Sequence, residues 1–198
     1  MNNIFEGLND KQKEAVSTTE GPLLVLAGAG SGKTTVLTKR VAYILQEGLA
    51  KPWQILAITF TNKAAAEMKE RIAKLVPDSE DMWVRTFHSC CVRILRRDSE
   101  RIGFSKHFTI YDTDDSKRVM KEVLRVLDID EKRLPVKYVL NEIGRAKDSL
   151  MTPADYTASA GYDTNKKLIG QAFEKYEEML KKADAMDFDD IIVNTVKL

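Results

Sequence analysis

Apolar positions recur along this chain in two rhythms, and the rhythm changes near its middle. In the first half, short unbroken apolar runs alternate with helically spaced ones. Residues 23–27, Leu-Leu-Val-Leu-Ala, lie between Gly21-Pro22 and a glycine-rich loop and predict a short buried strand. After Pro52, residues 55–60 predict a second strand, residues 82–87 a third and residues 108–111 a fourth. Between them, Val36, Leu37, Val41, Ile44 and Leu45 predict a helix over 33–46, with Gly48 placed to cap its end. Met68, Ile72 and Leu75 predict a helix over 62–75 with Pro77 beyond its end, and a third helix is predicted over 89–100. Strands and helices alternating at this spacing predict right-handed crossovers and a parallel sheet, hence an α/β fold.

After Asp112 only the helical rhythm remains. Thr113, Asp114 and Asp115 suit a helix start, and Val119, Met120, Val123, Leu124 and Leu127 form its apolar face. Pro135 opens a helix running to about Lys147. Thr152-Pro153-Ala154-Asp155 is a further capping signal, residues 168–182 are helical, and Asp187 can cap a last helix from Phe188. No strand is predicted in this half, so a helical subdomain over 113–183 follows the α/β part. There is no internal repeat. The chain closes on an apolar, mid-helical run, Ile191 to Leu198, which reads as a cut and not as a natural C-terminus.

Composition narrows this picture only a little. The 198 residues are 43% hydrophobic and 31% charged, ordinary for a globular chain, with a net charge of +1. No apolar stretch reaches the length of a membrane span, and the first residues lack the basic and apolar segments of a signal peptide, which predicts a cytoplasmic protein without membrane attachment. Cys90 and Cys91 are adjacent, a spacing that disfavours a mutual disulfide, and read as small apolar residues in a reducing compartment. Charge is unevenly spread. Residues 85–106 carry six basic against two acidic groups, and residues 111–131 seven acidic against four basic. Such a pair of segments fits a nucleic-acid face or a solvated helix face.

The loop "LAGAGSGKTT" (26–35) carries the sharpest chemistry. A strand leading into glycines, then Lys-Thr, then a helix is the P-loop arrangement. Its glycines let backbone N–H groups turn toward a phosphate chain, and the helix start adds its positive end. Ala27, Gly28, Ala29, Gly30, Ser31, Gly32, Lys33, Thr34 and Thr35 would form the cradle. In it Lys33 reaches the β- and γ-phosphates and the Thr34 hydroxyl binds Mg²⁺, so these two are the catalytic candidates. The first position departs from the strict pattern, with Ala27 where glycine is usual. The competing reading is a glycine-rich turn with an incidental lysine.

Three other stretches bear on what a triphosphate would drive. Gln12, in "LNDKQKEAV", offers one donor and one acceptor, as the N6/N7 edge of adenine requires; alternatively it is a surface glutamine. In "ITFTNKAAAEMKER" (58–71), Phe60 stands at the C-terminal end of the second predicted strand, the ligand edge of an open α/β sheet. It can stack on a base while Thr61, Asn62 and Lys63 meet phosphates, or it can be a core ring beside a threonine cap. In "VRTFHSCCVRILRR" (84–97), Arg85, Thr86, His88 and Ser89 repeat that placement, with His88 either a ligand contact or a packed, capping histidine.

These four stretches, in this order, resemble superfamily-one DNA helicases of the UvrD/PcrA/Rep type, as do "FTIYDTDD" and "MDFDDII" more loosely, and the likeness runs over essentially the whole chain. The resemblance implies a motor of two RecA-like lobes that moves 3′→5′ on single-stranded DNA and separates strands. It makes this chain the first part of one P-loop lobe (1–112), an inserted helical subdomain (113–183) and the start of the return to the lobe (184–198). It further implies ATP and Mg²⁺ as cofactors, single strands and single-strand/duplex junctions as substrates, and replication or repair proteins as partners. Gln12 becomes the adenine reader, and Phe60, Thr61, Asn62, Lys63, Thr86 and His88 the DNA contacts. Relatives carry arginine where Thr35 stands, so no stacking role is assigned to Thr35. The family's Asp-Glu pair, in the form D-E-x-Q-D, does not occur in these 198 residues, nor does the second lobe with its arginines. Negligible hydrolysis by this stretch alone is therefore expected. The alternative from another class is a small P-loop nucleotide kinase or nucleotide-binding regulatory module using Asp112.

Overall fold

The computed structural model describes residues 3–77, 79 and 81–198. Its chain divides into two compact units, residues 1–90 and 91–198.

The first unit is built on helix α1 (Asp10–Ser17), helix α2 (Lys33–Gln46), strand β1 (Leu56–Thr59), helix α3 (Asn62–Leu75) and strand β2 (Trp83–Thr86), and ends in the first turn of helix α4 (Phe87–Asp98). β1 and β2 are parallel and in register from Leu56↔Trp83 to Thr59↔Thr86. The connection between them is α3, held on the sheet by Met68 and Ile72, which pack with Ala57, Met82 and Val41 of α2. A second cluster seats α1 on α2 through Ala15, Val16, Val36 and Ala42, with Ile4 and Leu8 from the chain before α1. Arg40 ties the same two helices, donating to the carbonyls of Ala15 and Thr18.

The run 23–27 corrects the sequence reading. It forms no ladder, and Leu24 and Leu26 are 80% and 86% exposed. An unbroken apolar run signals burial on both faces, but a parallel strand forms only where remote segments supply its neighbours. Among the described residues of this unit, β1 and β2 pair with each other and nothing pairs with 23–27.

The second unit comprises the rest of α4, strand β3 (Thr109–Ile110), helices α5 (Thr113–Val126), α6 (Val136–Asp148), α7 (Pro153–Ser159) and α8 (Thr164–Lys182), strand β4 (Ala185–Met186) and helix α9 (Phe188–Lys197). Met120, Val123 and Leu124 of α5, Val139 and Ile143 of α6, Tyr156 of α7 and Phe173 and Tyr176 of α8 share one core. A smaller cluster of Leu95, Phe108, Met186 and Ile191 joins α4, β3, β4 and α9. Helix starts are capped as the sequence indicates: Thr152 accepts from Asp155 N and Asp187 from Asp190 N. At α5 the cap is Asp112, one residue before the predicted start, and α8 begins at Thr164, capped by Asp163, four residues earlier than predicted.

The second half also contains a strand, against expectation. β4 pairs in parallel with β3, Thr109↔Ala185 and Ile110↔Met186. Two residues carry no alternation, so only the partner strand, more than seventy residues upstream, defines it. The pairing brings together the chain on either side of α5–α8. Among the described residues no helix is long and apolar enough to cross a membrane.

Candidate functional site

The glycine loop between the apolar run and α2 is shaped by left-handed backbone at Gly30 (φ +74°) and Gly32 (φ +81°), a region that costs any side chain with a Cβ. Gly32 is the N-cap of α2, and no side chain caps that helix. The N–H groups of the first turn therefore face the loop without a side-chain acceptor, an arrangement that attracts anions. Lys33 turns back into the loop, and its ammonium donates to the carbonyls of Ala27, at 3.1 Å, and Gly28. The Ser31 hydroxyl also donates to Gly28 O, at 2.7 Å.

Helix α1 closes the other side. Asn9 and Gln12 form a reciprocal capping box, in which Gln12 N donates to Asn9 Oδ1 at 2.9 Å and Asn9 N donates to Gln12 Oε1 at 3.0 Å. The other end of the same amide, Gln12 Nε2, donates to Ser31 O at 3.1 Å. Gln12, Leu26, Ala27, Gly28, Ser31 and Lys33 line a hollow of about 350 Å³. That is within the range of small-molecule pockets, roughly 300–1,000 Å³. The structure thus brings Gln12 to the loop across nineteen positions of sequence. Gly28 and Gly30 have open space where a Cβ would stand, with no atom of the described residues within 4 Å. The donor set fits a polyphosphate: a lysine ammonium, an uncapped helix start and bare backbone. Thr34 and Thr35 are exposed in the first turn of α2. Among the described residues no group of three or more His, Cys, Asp or Glu could hold a metal ion.

The second group of predicted residues meets at the C-terminal edge of the β1–β2 pair. In-register pairing sets Thr59 beside Thr86, so the residues following each strand emerge side by side. Phe60 is 93% exposed, and its ring lies 6.4 Å from that of Phe87, which is itself half-exposed. A core role for Phe60 is thereby removed. Phe87 was missed by the sequence reading, which placed it at the end of a strand; its position one residue after the partner of Thr59 was the available signal. Thr61 caps α3 by accepting from Ala64 N at 3.1 Å, and Asn62 and Lys63 are exposed in its first turn. Thr86 is buried, its hydroxyl 2.7 Å from Ser89 Oγ and 3.5 Å from Asn62 Oδ1, so it braces the edge from beneath. His88 is half-buried in the first turn of α4.

Asp112, the residue a kinase reading would use, is occupied as the cap of α5. The backbone N–H groups of Asp115 and Asp114 hold its carboxylate below the usual range.

One polar cluster was not foreseen. Lys147 of α6, only 3% exposed, lies 2.7 Å from Asp190, 3.1 Å from Asp187 and 2.8 Å from Glu177. The Glu177 contact lacks hydrogen-bond geometry and acts through charge alone. Tyr176 OH donates to Asp187 at 3.0 Å. Burial pushes the Asp190 carboxyl up to about 7, against the pull of Lys147. Lys147 is held well above the usual lysine range, its burial outweighed by the carboxylates of Asp190, Asp187 and Glu177.

Comparison with known proteins is consistent along the whole chain. Residues 8–198 match the family model described as the UvrD/REP helicase N-terminal domain. The chain is 50% identical over 199 aligned residues to the ATP-dependent DNA helicase PcrA of Staphylococcus aureus, and 48% identical over 200 to that of Bacillus subtilis. In both comparisons the alignment covers 100% of this chain and 27% of the relative, so the chain spans about a quarter of the length of the curated relatives it matches.

Proposed function

The chain belongs to the UvrD/REP helicase family, and from that premise we propose that it binds ATP with Mg²⁺ in the glycine-loop hollow and single-stranded DNA along the β1–β2 edge, as the N-terminal portion of a cytoplasmic, 3′→5′ ATP-dependent helicase. The observation that carries the reading is Lys33, folded into a glycine loop at an uncapped helix start, with Gln12 on the opposite wall. Lys33 exchanges its two carbonyl partners for phosphate oxygens, and the α2 N–H groups meet the same charge. The Thr34 hydroxyl would hold Mg²⁺, which when bound would supply charge neutralisation on the phosphates. Phe60 and Phe87 offer aromatic faces to bases, while Thr61, Asn62, Lys63 and His88 serve the backbone and Thr86 braces them.

The accompanying fold reading is a P-loop, RecA-like lobe over 1–112, resumed at 184–198, with a helical insertion over 113–183. It is supported by the β3–β4 pair, which lets the intervening helices leave and return at one place. Junction DNA as substrate and replication or repair proteins as partners follow from the same reading. Without a D-E-x-Q-D carboxylate pair, these 198 residues bind nucleotide but turn it over negligibly. The test is titration of labelled ATP into wild type and Lys33→Ala, with and without oligo-dT. Binding lost in the variant supports the proposal; equal binding by both, or robust DNA-stimulated hydrolysis by the wild-type chain, overturns it.

A further inference from the structure

The Gln12 amide is held at both ends before any ligand arrives. A backbone N–H can only donate and a backbone carbonyl can only accept, so the two partners define which way the amide faces. Oε1 must lie against Asn9 N–H, at 3.0 Å, and Nε2 against Ser31 O, at 3.1 Å. The opposite flip would set N–H against N–H and oxygen against oxygen. A primary amide has two donor hydrogens and two acceptor lone pairs. One of each is used here, so one acceptor and one donor remain, in a fixed order, on a side chain that lines the hollow. Adenine presents a donor at N6 and an acceptor at N7, and satisfies both. Guanine presents acceptors at both O6 and N7, and leaves the fixed amide oxygen facing another acceptor.

We propose that the Asn9 N–H and the Ser31 carbonyl are specificity-determining positioning groups: they lock the Gln12 amide in the flip that accepts a 6-amino purine and rejects a 6-oxo purine. This rests on the reading of the hollow as an ATP site and extends it from the glutamine to the helix start that orients it. Selectivity is then coupled to the capping of α1, because the bond that starts the helix also orients the amide. The Asn9 side chain is a separate matter. Its oxygen accepts from Gln12 N, whereas the Asn9 backbone N–H is the group that meets the Gln12 amide.

That separation gives the test. Asn9→Ala removes the cap oxygen but keeps the orienting N–H. Asn9→Pro removes both, at a residue whose φ of −75° proline accepts. Affinities of the 198-residue chain for fluorescent ATP and GTP analogues are compared for wild type and both variants. The expected result is an ATP-over-GTP preference retained in Asn9→Ala and reduced about tenfold in Asn9→Pro, within the discrimination a bidentate amide contact supplies, roughly 5- to 150-fold. An unchanged preference in a folded Asn9→Pro chain overturns the inference, as does equal loss in both variants. Should the proline variant not fold, NMR of the nucleotide-free wild type decides. A through-bond coupling between Gln12 Nε2 and the Ser31 carbonyl supports the lock, and a freely rotating, unprotected amide overturns it. Failure of the wild type to bind either nucleotide overturns the ATP reading itself, and this inference with it.

Discussion

Replacing Lys147 with methionine keeps the volume of the side chain and removes one charge. Three carboxylates would then face one another without a counter-ion, Asp190 and Asp187 nearly buried and Glu177 about one-third exposed. At the observed 2.7–3.1 Å, each pair attracts by about 5–6 kcal/mol if the effective dielectric is about 20. Most of that gross attraction is offset by desolvation, several kcal/mol per ion, and Glu177 is the most screened of the three. The net loss on removing one partner of such a group is about 3–5 kcal/mol. The sign of its pH dependence follows from the shifts. Lys147 is raised, so its contribution is complete at neutral pH and is lost only as pH rises through its folded pKa. Asp190 is raised to about 7, so the folded state holds its proton more tightly than the unfolded state. Its own contribution therefore becomes less favourable as pH climbs from about 4 to about 7. Without Lys147 the Asp190 carboxyl loses the charge that opposes the effect of its burial and shifts further upward, and acid relieves it by protonation. The deficit of Lys147→Met should thus be about 3–5 kcal/mol near pH 8 and shrink to about 1–2 kcal/mol near pH 5. Hydrogen exchange by mass spectrometry on peptides from α6, α8 and α9 measures it locally. Trp53 and Trp83 both lie in residues 1–90, so their fluorescence serves as an internal control. A deficit equal at both pH values, or larger in acid, would refute the electrostatic account and leave packing as the cause.

The proposed site yields two further expectations. Gly30→Ala and Gly32→Ala impose similar left-handed strain, about 1–2 kcal/mol each, but only the Cβ at position 32 meets Gln12 Nε2, at 3.1 Å, while that at position 30 meets nothing within 4 Å. Thermal melts should move alike for the two, whereas ATP affinity by calorimetry should fall several-fold more for Gly32→Ala, and the same fall in both would remove Gln12 from the site. Phe60→Ala, at a 93% exposed ring, should leave stability within about 0.5 kcal/mol yet weaken oligo-dT binding by about 1–3 kcal/mol in fluorescence anisotropy, with the salt slope unchanged because no charge is lost. Undiminished binding would move the strand away from the β1–β2 edge.

What the sequence made legible is what its residues settle among near neighbours. The helices over 33–46 and 62–75 matched α2 and α3 because periodicity, caps and breakers all lie within a few positions. The glycine loop was legible for the same reason, since consecutive residues build it. Contacts set at a distance were not. The run 23–27 has the composition of a strand buried on both faces, and its ladder depends on segments that no local signal identifies. Ala185–Met186 has no strand character at all and becomes one only beside Thr109–Ile110. Gln12 could be read as a purine contact from its chemistry, but its bond to Ser31 could not.

The buried ion cluster lies between these cases, because half of its signal is local. In α6 the buried positions Val139 and Ile143 step forward by four to Lys147, so the lysine stands within the apolar stripe of its own helix. A cation at a core position requires an anion at another core position. In α9 the carboxylate of Asp190 lies among buried Ile191, Val193 and Asn194. Each helix thus carries one charge on its inward face, which is unfavourable for that helix alone and acceptable only when the two meet. Asp187 caps the start of α9 as the sequence indicates, but capping leaves the burial of Asp190 unexplained. A charged residue in phase with an apolar stripe marks an inter-element contact more reliably than the charge of a segment does, and here it joins α6 and α8 to the helix that follows β4.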